Sequence, residues 1–79
     1  MELNDFIKTF AYQFDDTDES EFTADTEFRG LDEWSSLIGM GVLNAISKKY
    51  GVRLTLEDFK SVNTIQELFD LVKSQKENV

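Results

Sequence analysis

The sequence contains no cysteine and no histidine. These absences exclude disulfide bonds, zinc sites, cysteine nucleophiles and histidine-based catalytic triads, and they leave lysine, carboxylate and hydroxyl chemistry. There is also no run of about 18 apolar residues, so no transmembrane helix is expected. Residues 1–5 contain no basic region and no cleavage pattern, which predicts no signal peptide and, by default, a cytoplasmic location.

Basic residues are few as well. Eight lysines and arginines stand against sixteen aspartates and glutamates, for a net charge of −8. The imbalance is concentrated in residues 15–35, which hold nine acids and the single base Arg29. So acidic a chain is not expected to bind nucleic acid or to insert into an anionic membrane.

The sequence does contain enough apolar material for one small core. The chain has 79 residues, of which 41% are hydrophobic and 13% aromatic. These values predict a single monomeric domain over residues 1–79, near the lower size limit for independent folding. Because so short a chain has little room for a substrate cleft, an autonomous enzyme is not expected.

The spacing of apolar residues predicts two long helices separated by a loop. Helix 1 is expected at about residues 3–14. Helix 2 is expected at about residues 36–50, with Gly51 as its left-handed C-terminal residue. Its core stripe is expected to run through Leu37, Met40, Leu43 and Ile46, together with Val42 and Tyr50. Residues 15–35 fit neither helical nor strand spacing and predict an ordered acidic loop, with a helical turn near residues 23–28. Four apolar side chains are expected to hold this loop to the core: Phe22, Phe28, Leu31 and Trp34.

Two capping signatures follow in the last third of the chain. Thr55 followed by Asp58 predicts a short helix at about residues 56–61, and Thr64 followed by Glu67 predicts a last helix at about residues 65–74. Helices that each have one apolar face must bury those faces together. The predicted fold is therefore all-α: a small bundle of three main helices and one short helix, with a long loop after helix 1.

A pair of serines lies where the long loop meets helix 2, in the run Trp34-Ser35-Ser36-Leu37. A serine at a helix start is most often an N-cap, because its oxygen accepts a hydrogen bond from a free backbone N–H. No histidine or lysine lies close in sequence to activate either hydroxyl, so a serine nucleophile is not supported. The pair is either a plain cap or includes a hydroxyl that another enzyme modifies.

Here the sequence resembles the acyl carrier protein family, over about residues 3–73. The resemblance depends on Ser36-Leu37 at the start of helix 2, on Lys48-Lys49-Tyr50-Gly51-Val52 at its end, and on Thr64-Ile65-Gln66-Glu67-Leu68. It implies the fold of that family, a small carrier-protein bundle. It also implies a covalent 4′-phosphopantetheine, transferred from coenzyme A by a phosphopantetheinyl transferase, whose thiol carries acyl groups as thioesters in fatty-acid, polyketide or related biosynthesis.

The family's modified serine immediately precedes the leucine of helix 2, which implies attachment at Ser36. Contacts with the arm and with partner proteins are expected at Ser35, Leu37, Ile38, Met40 and Gly41. Ile38 is either an exposed docking contact or partly buried against Trp34, and Met40 is expected mainly in the core. Gly39 is expected to be tolerated on an exposed face. The expected partners are the transferase, an acyl ligase or acyltransferase, and ketosynthase-type enzymes. The carrier itself is expected to be acted upon and to catalyse nothing.

Two departures from the family pattern qualify this hypothesis. Ser35 stands where the family has an aspartate, and residues 36–50 contain no acid, whereas fatty-acid carriers present acids on helix 2. Because surface charge sets partner choice and association rate, the sequence favours a carrier for a specialised pathway.

Three alternatives stay open from the sequence. Aminoacyl and peptidyl carriers share the same fold and serine, and an acidic adaptor would need no modification. The third is a calcium-binding EF-hand: residues 16–27 place oxygen ligands at positions 1, 3, 5 and 12 of such a loop. Its position 6, which should be glycine, is Glu21. No metal ligand is therefore assigned.

Overall fold

The computed structural model of the protein describes residues 2–77 and contains four α-helices. They are α1 (Leu3–Ala11), α2 (Ser36–Tyr50), α3 (Leu56–Lys60) and α4 (Ile65–Glu77). The predicted all-α bundle is confirmed. Among these helices none is both long and apolar enough to cross a membrane.

Helix α1 ends at Ala11, three residues earlier than predicted. The chain tightens there, because the N–H groups of Gln13 and Phe14 donate to the carbonyls three residues before them, at 3.2 and 3.0 Å. Phe14 still reaches the core, and its ring lies 5.6 Å from that of Phe10 and 4.9 Å from that of Phe22. The apolar spacing correctly indicates that Phe14 is buried, but it does not show that the backbone is still helical at residue 14.

Helix α2 has the two ends that its sequence favours. Ser35 is the N-cap, and Gly51 follows the last turn with a φ of 72°, a left-handed conformation that glycine adopts without strain. The predicted core stripe is confirmed in part: Val42 and Ile46 are buried, and Leu43 and Tyr50 are partly buried against the core. Gly39 is buried as well. Leu37 and Met40 instead face solvent, because Trp34 packs against Gly39 and occupies the core beside the first turns of the helix.

All seven phenylalanines are buried and form the centre of the core: Phe6, Phe10, Phe14, Phe22, Phe28, Phe59 and Phe69. Trp34 joins them from the loop. The centre of its ring system lies 5.2 Å from that of Phe28, 5.6 Å from that of Phe59 and 6.4 Å from that of Phe14. Aromatic pairs at these separations add stabilisation beyond their buried area.

The long loop contains two short 3₁₀ turns, Glu19–Glu21 and Phe28–Gly30, and not one helical turn near residues 23–28 as predicted. Its middle is fastened to the start of α4: the N–H of Ile65 donates to the carbonyl of Thr26 (3.2 Å) and that of Gln66 to Ala24 (2.9 Å). Arg29 crosses to the α3–α4 connection and donates to the carbonyl of Phe59. These bonds hold the segment before α2 in one conformation.

The last two helices begin at their predicted capping residues. Thr55 and Asp58 form a reciprocal capping box, and Glu67 accepts from the backbone N–H of Thr64 while donating its own N–H to the Thr64 hydroxyl. Helix α3 ends at Lys60 and α4 continues to Glu77, three residues further than predicted.

Candidate functional site

The serine pair lies at the solvent-exposed N-terminus of α2. Ser35 has extended backbone, with φ −153° and ψ 166°, and its Oγ accepts a hydrogen bond from the N–H of Ile38 at 3.3 Å. Its carbonyl accepts from the N–H of Gly39 at 3.0 Å. Ser35 therefore caps the helix with both its side chain and its backbone, and its hydroxyl oxygen is already engaged.

Ser36 is the first helical residue, and its side chain is exposed. Within residues 2–77, its hydroxyl has no hydrogen-bond partner, and the N–H groups of Ser36 and Leu37 have no acceptor. No acid lies in the first turn of α2. An accessible hydroxyl is thus placed beside a helix N-terminus whose free N–H groups and dipole favour an anion such as a phosphate ester.

Nothing in the described part of the chain activates this hydroxyl. Hydrogen bonds lower the pKa of three carboxylates, Asp18, Glu33 and Glu67, but all three are bonded elsewhere. The pKa of Glu33 falls chiefly because the Thr17 hydroxyl donates to it at 2.7 Å, with further bonds from the N–H groups of Asp15 and Asp16. These groups order the loop before α2. The described residues therefore supply no general base to the Ser36 hydroxyl.

Two large apolar side chains adjoin Ser36 on the open face of α2. Leu37 is 79% exposed and Met40 is 58% exposed. Their separation of three positions puts them on neighbouring parts of the helix surface. The expectation that Met40 lies mainly in the core is therefore wrong, whereas both residues lie where a partner protein could contact them.

The other two expected contacts are less accessible. Ile38 is half-buried against the core, so of its two expected positions the structure shows partial burial and not an exposed docking contact. Gly41 is half-buried, and a Cβ at that position would lie 3.3 Å from Oε1 of Gln13 on α1. Neither residue shares the open surface of Leu37 and Met40.

The expectation that Gly39 lies on an exposed face is also wrong. This residue is buried, and a Cβ there would lie 3.1 and 3.2 Å from Cη2 and Cζ2 of Trp34. The indole lies directly on the backbone of α2 at residue 39, and a side chain there would require the indole to shift by a few tenths of an ångström. Because Trp34 immediately precedes the serine pair, this contact positions the two serines at the start of α2. A tryptophan five residues before a glycine is the only sequence signal of it.

The acidic loop does not have the arrangement of a calcium-binding EF-hand. Asp18 caps a 3₁₀ turn by accepting from the N–H of Ser20, and Glu27 pairs with Thr64 in an isolated bridge. In residues 2–77 no group of three or more acidic side chains is placed so as to hold a metal ion.

The sequence was compared with family models, with curated proteins and with solved structures. The family model described as "Phosphopantetheine attachment site" matches residues 6–72, which is most of the chain. A search of curated proteins returns no significant match, and a search of solved structures returns none either.

Proposed function

The chain belongs to the phosphopantetheine attachment-site family, and from this premise we propose that it is an acyl carrier protein with its 4′-phosphopantetheine on Ser36. The family's cofactor is attached covalently, and the residues at the start of α2 fit it. The observation that carries the assignment to Ser36 is its exposed, unengaged hydroxyl next to the free N–H groups of α2. Ser35, whose oxygen caps the helix, is the less suitable acceptor.

The residues around Ser36 would hold the phosphodiester without a charged side chain. The N–H groups of Ser36 and Leu37, with the dipole of α2, would balance its negative charge. When bound, the cofactor supplies a terminal thiol that carries an acyl group as a thioester. A chain without cysteine has no thiol of its own, so the composition agrees with this role.

The partners of such a carrier are a phosphopantetheinyl transferase and the enzymes that load, extend and unload the cargo. We propose that they meet the carrier on the surface formed by Ser35, Leu37 and Met40, where apolar area is open. The carrier itself catalyses nothing in this proposal, because no base lies at Ser36 and catalysis resides in the partners. A cytoplasmic location is part of the same proposal.

The pathway that we propose is a specialised one, distinct from ordinary fatty-acid synthesis. Its support is the absence of acids from α2. Fatty-acid carriers resemble this chain but have acids at the positions of Ile38, Gly41, Ser47 and Lys48, none of which is acidic here. A partner with a basic patch would meet a lysine at position 48, and like charges in contact lower affinity.

The test is an intact-mass measurement on the protein incubated with coenzyme A and a phosphopantetheinyl transferase. We expect the addition of one phosphopantetheine. The modified protein is then offered a fatty acid with an acyl–carrier ligase and, separately, amino acids with an adenylating enzyme. Loading by the amino acid alone would favour the aminoacyl carrier. An unchanged mass with several transferases that modify a control carrier would overturn the proposal.

A further inference from the structure

A second surface, at the end of α2 away from the serine pair, is basic although the chain as a whole is acidic. It is an open groove of about 430 Å³ between α1 and the C-terminal half of α2. Three of the eight basic residues line it, namely Lys8, Lys48 and Lys49. No acidic residue is among its lining residues, although acids outnumber bases two to one in the chain. We call this surface the basic groove.

One lysine of the basic groove is held in place. Lys49 Nζ donates to Thr9 Oγ1 at 2.8 Å and lies 5.6 Å from the ring centroid of Tyr50. Thr9 Oγ1 in turn donates to the carbonyl of Asp5 at 2.9 Å. Lys8 and Lys48 are exposed at the two sides of the groove. The groove therefore presents one positioned cation and two accessible ones.

An aromatic side chain stands at the same place. Tyr12, directly after the end of α1, is 85% exposed, more than any other large hydrophobic residue in the described chain. The small residue Ala45 also lines the groove. Exposed tyrosines combine apolar area with a hydroxyl, and they are enriched where proteins contact one another.

We propose that the basic groove is a docking surface for an acidic segment of a partner protein that places an apolar side chain on Tyr12. The lysines lie in the last turns of α1 and α2, where the helix dipoles favour cations, and this accounts for their presence without a partner. The dipoles do not account for an exposed tyrosine between them. Local charge complementarity and an aromatic anchor together match a peptide segment better than a small anion.

A second copy of the chain is a poor occupant, because Phe22 and Phe28 of its acidic loop are buried and cannot contact Tyr12. Each copy also has a net charge of −8. The same net charge opposes any acidic partner at long range. At physiological ionic strength such repulsion is screened beyond about 8 Å, so the contact of carboxylates with the groove lysines decides the outcome. The interaction is expected to be weak and specific to this surface.

The test uses the full, unmodified chain, so that its result does not depend on the attachment of phosphopantetheine. The probe is a blocked seven-residue peptide with five acidic residues, one leucine and one phenylalanine, titrated into ¹⁵N-labelled protein. We expect the largest amide shifts at residues 8–13 and 45–49. The double variant Lys8→Gln, Lys48→Gln is expected to bind about three- to tenfold more weakly, as the loss of two exposed ion pairs predicts.

Two controls decide between a site and general electrostatics. The variant Lys60→Gln, Lys73→Gln removes the same charge from exposed positions of α3 and α4, and its affinity is expected to equal that of the wild type. Tyr12→Ser is expected to weaken binding of the peptide and to leave the far-ultraviolet circular dichroism unchanged. The proposal is overturned if shifts lie elsewhere or if the two double variants lose affinity equally. It is also overturned if inorganic tripolyphosphate binds as tightly as the peptide and Tyr12→Ser has no effect.

Discussion

A Cβ atom on Gly39 would lie 3.1 Å from Cη2 of Trp34, closer than side chains pack without a shift. The indole cannot move away easily, since it is packed on the rings of Phe14, Phe28 and Phe59. The absence of a side chain at residue 39 therefore lets the loop seat its tryptophan on α2, one residue before the serine pair begins.

Replacing Gly39 by alanine is expected to destabilise the fold, although alanine is the better helix former. The gain in helix propensity is about 1 kcal/mol, and overpacking against a confined ring typically costs about 1–3 kcal/mol. We expect a net loss of about 1 kcal/mol in the free energy of unfolding, measured by urea denaturation. The matched control is Gly41→Ala, whose Cβ meets only the flexible end of Gln13. That variant is expected to be as stable as the wild type or more so, and a Gly39→Ala protein of equal stability would contradict the packing argument.

Local signals in the sequence predicted most of the fold, and long-range packing accounts for the errors. Ser35, Gly51 and the two capping boxes act through neighbouring backbone groups, so their effect is visible in the sequence. The register of α2 depends on Trp34, which comes from outside the helix and takes the core beside Gly39. An apolar pattern cannot show that, so Leu37 and Met40 were assigned to the core although they face solvent.

The candidate site was only partly predictable, for a related reason. The proposed attachment of the cofactor at Ser36 comes from resemblance, and the structure adds that the Ser35 Oγ caps the helix. The order of the long loop was expected from its apolar residues. The N–H groups of Asp15 and Asp16 donate to Glu33, which lies 18 and 17 positions away in the sequence. No local sequence pattern predicts hydrogen bonds over such distances.

Substitution of each serine separately tests the assignment of the attachment site. Ser36→Ala is expected to abolish addition of phosphopantetheine, measured by intact mass, with helical circular dichroism close to that of the wild type. Ser35→Ala is expected to be modified still and to lose about 1 kcal/mol of stability, because it removes the acceptor of the Ile38 N–H. Modification of the Ser36→Ala protein would show that the hydroxyl has been misassigned.

Glu33 is expected to make the stability of the loop depend on pH. Its pKa is lowered in the folded chain, chiefly by the bond from Thr17. The stabilisation is therefore present in full above the ordinary pKa range of glutamate and is lost as pH falls through the lowered folded pKa. We expect the difference in free energy of unfolding between the wild type and Glu33→Gln to shrink from about pH 6 to about pH 3. The control is Glu33→Gln combined with Thr17→Val, which removes the donor of the bond as well and is expected to show no further change with pH beyond that of Glu33→Gln.

Charge repulsion in the acidic loop should make the protein more stable in salt. Four of the loop's acids, Asp16, Glu21, Asp32 and Glu33, line one open groove. Added salt shortens the range of their repulsion to about 8 Å near physiological ionic strength. We expect the melting temperature to rise with sodium chloride, and Mg²⁺ and Ca²⁺ to act alike. In the variant Asp16→Asn, Asp32→Asn the rise should be smaller. A preference for micromolar Ca²⁺ would instead return the calcium-binding alternative.

The surface charge of α2 should decide which synthase enzymes accept the carrier. Lys48 and Asn44 are exposed one turn apart, where a basic partner surface would meet a cation and a neutral amide. We expect the modified protein to be a poor substrate for the malonyl transferase of ordinary fatty-acid synthesis. The variant Asn44→Asp, Lys48→Glu should accept malonyl groups faster, mainly through a higher association rate, and high salt should reduce the gain.

The control for this last experiment has to separate position from net charge. Lys73→Glu with Ser74→Asp makes the same change of charge at exposed positions of α4, so a general attraction between carrier and enzyme would raise both rates equally. If only the α2 variant improves, and only at low salt, the carboxylates act by contact with the partner at this helix. Efficient transfer to the wild type, unchanged by either pair of substitutions, would mean that the acidic loop steers the partner and that ordinary fatty-acid synthesis is the better assignment.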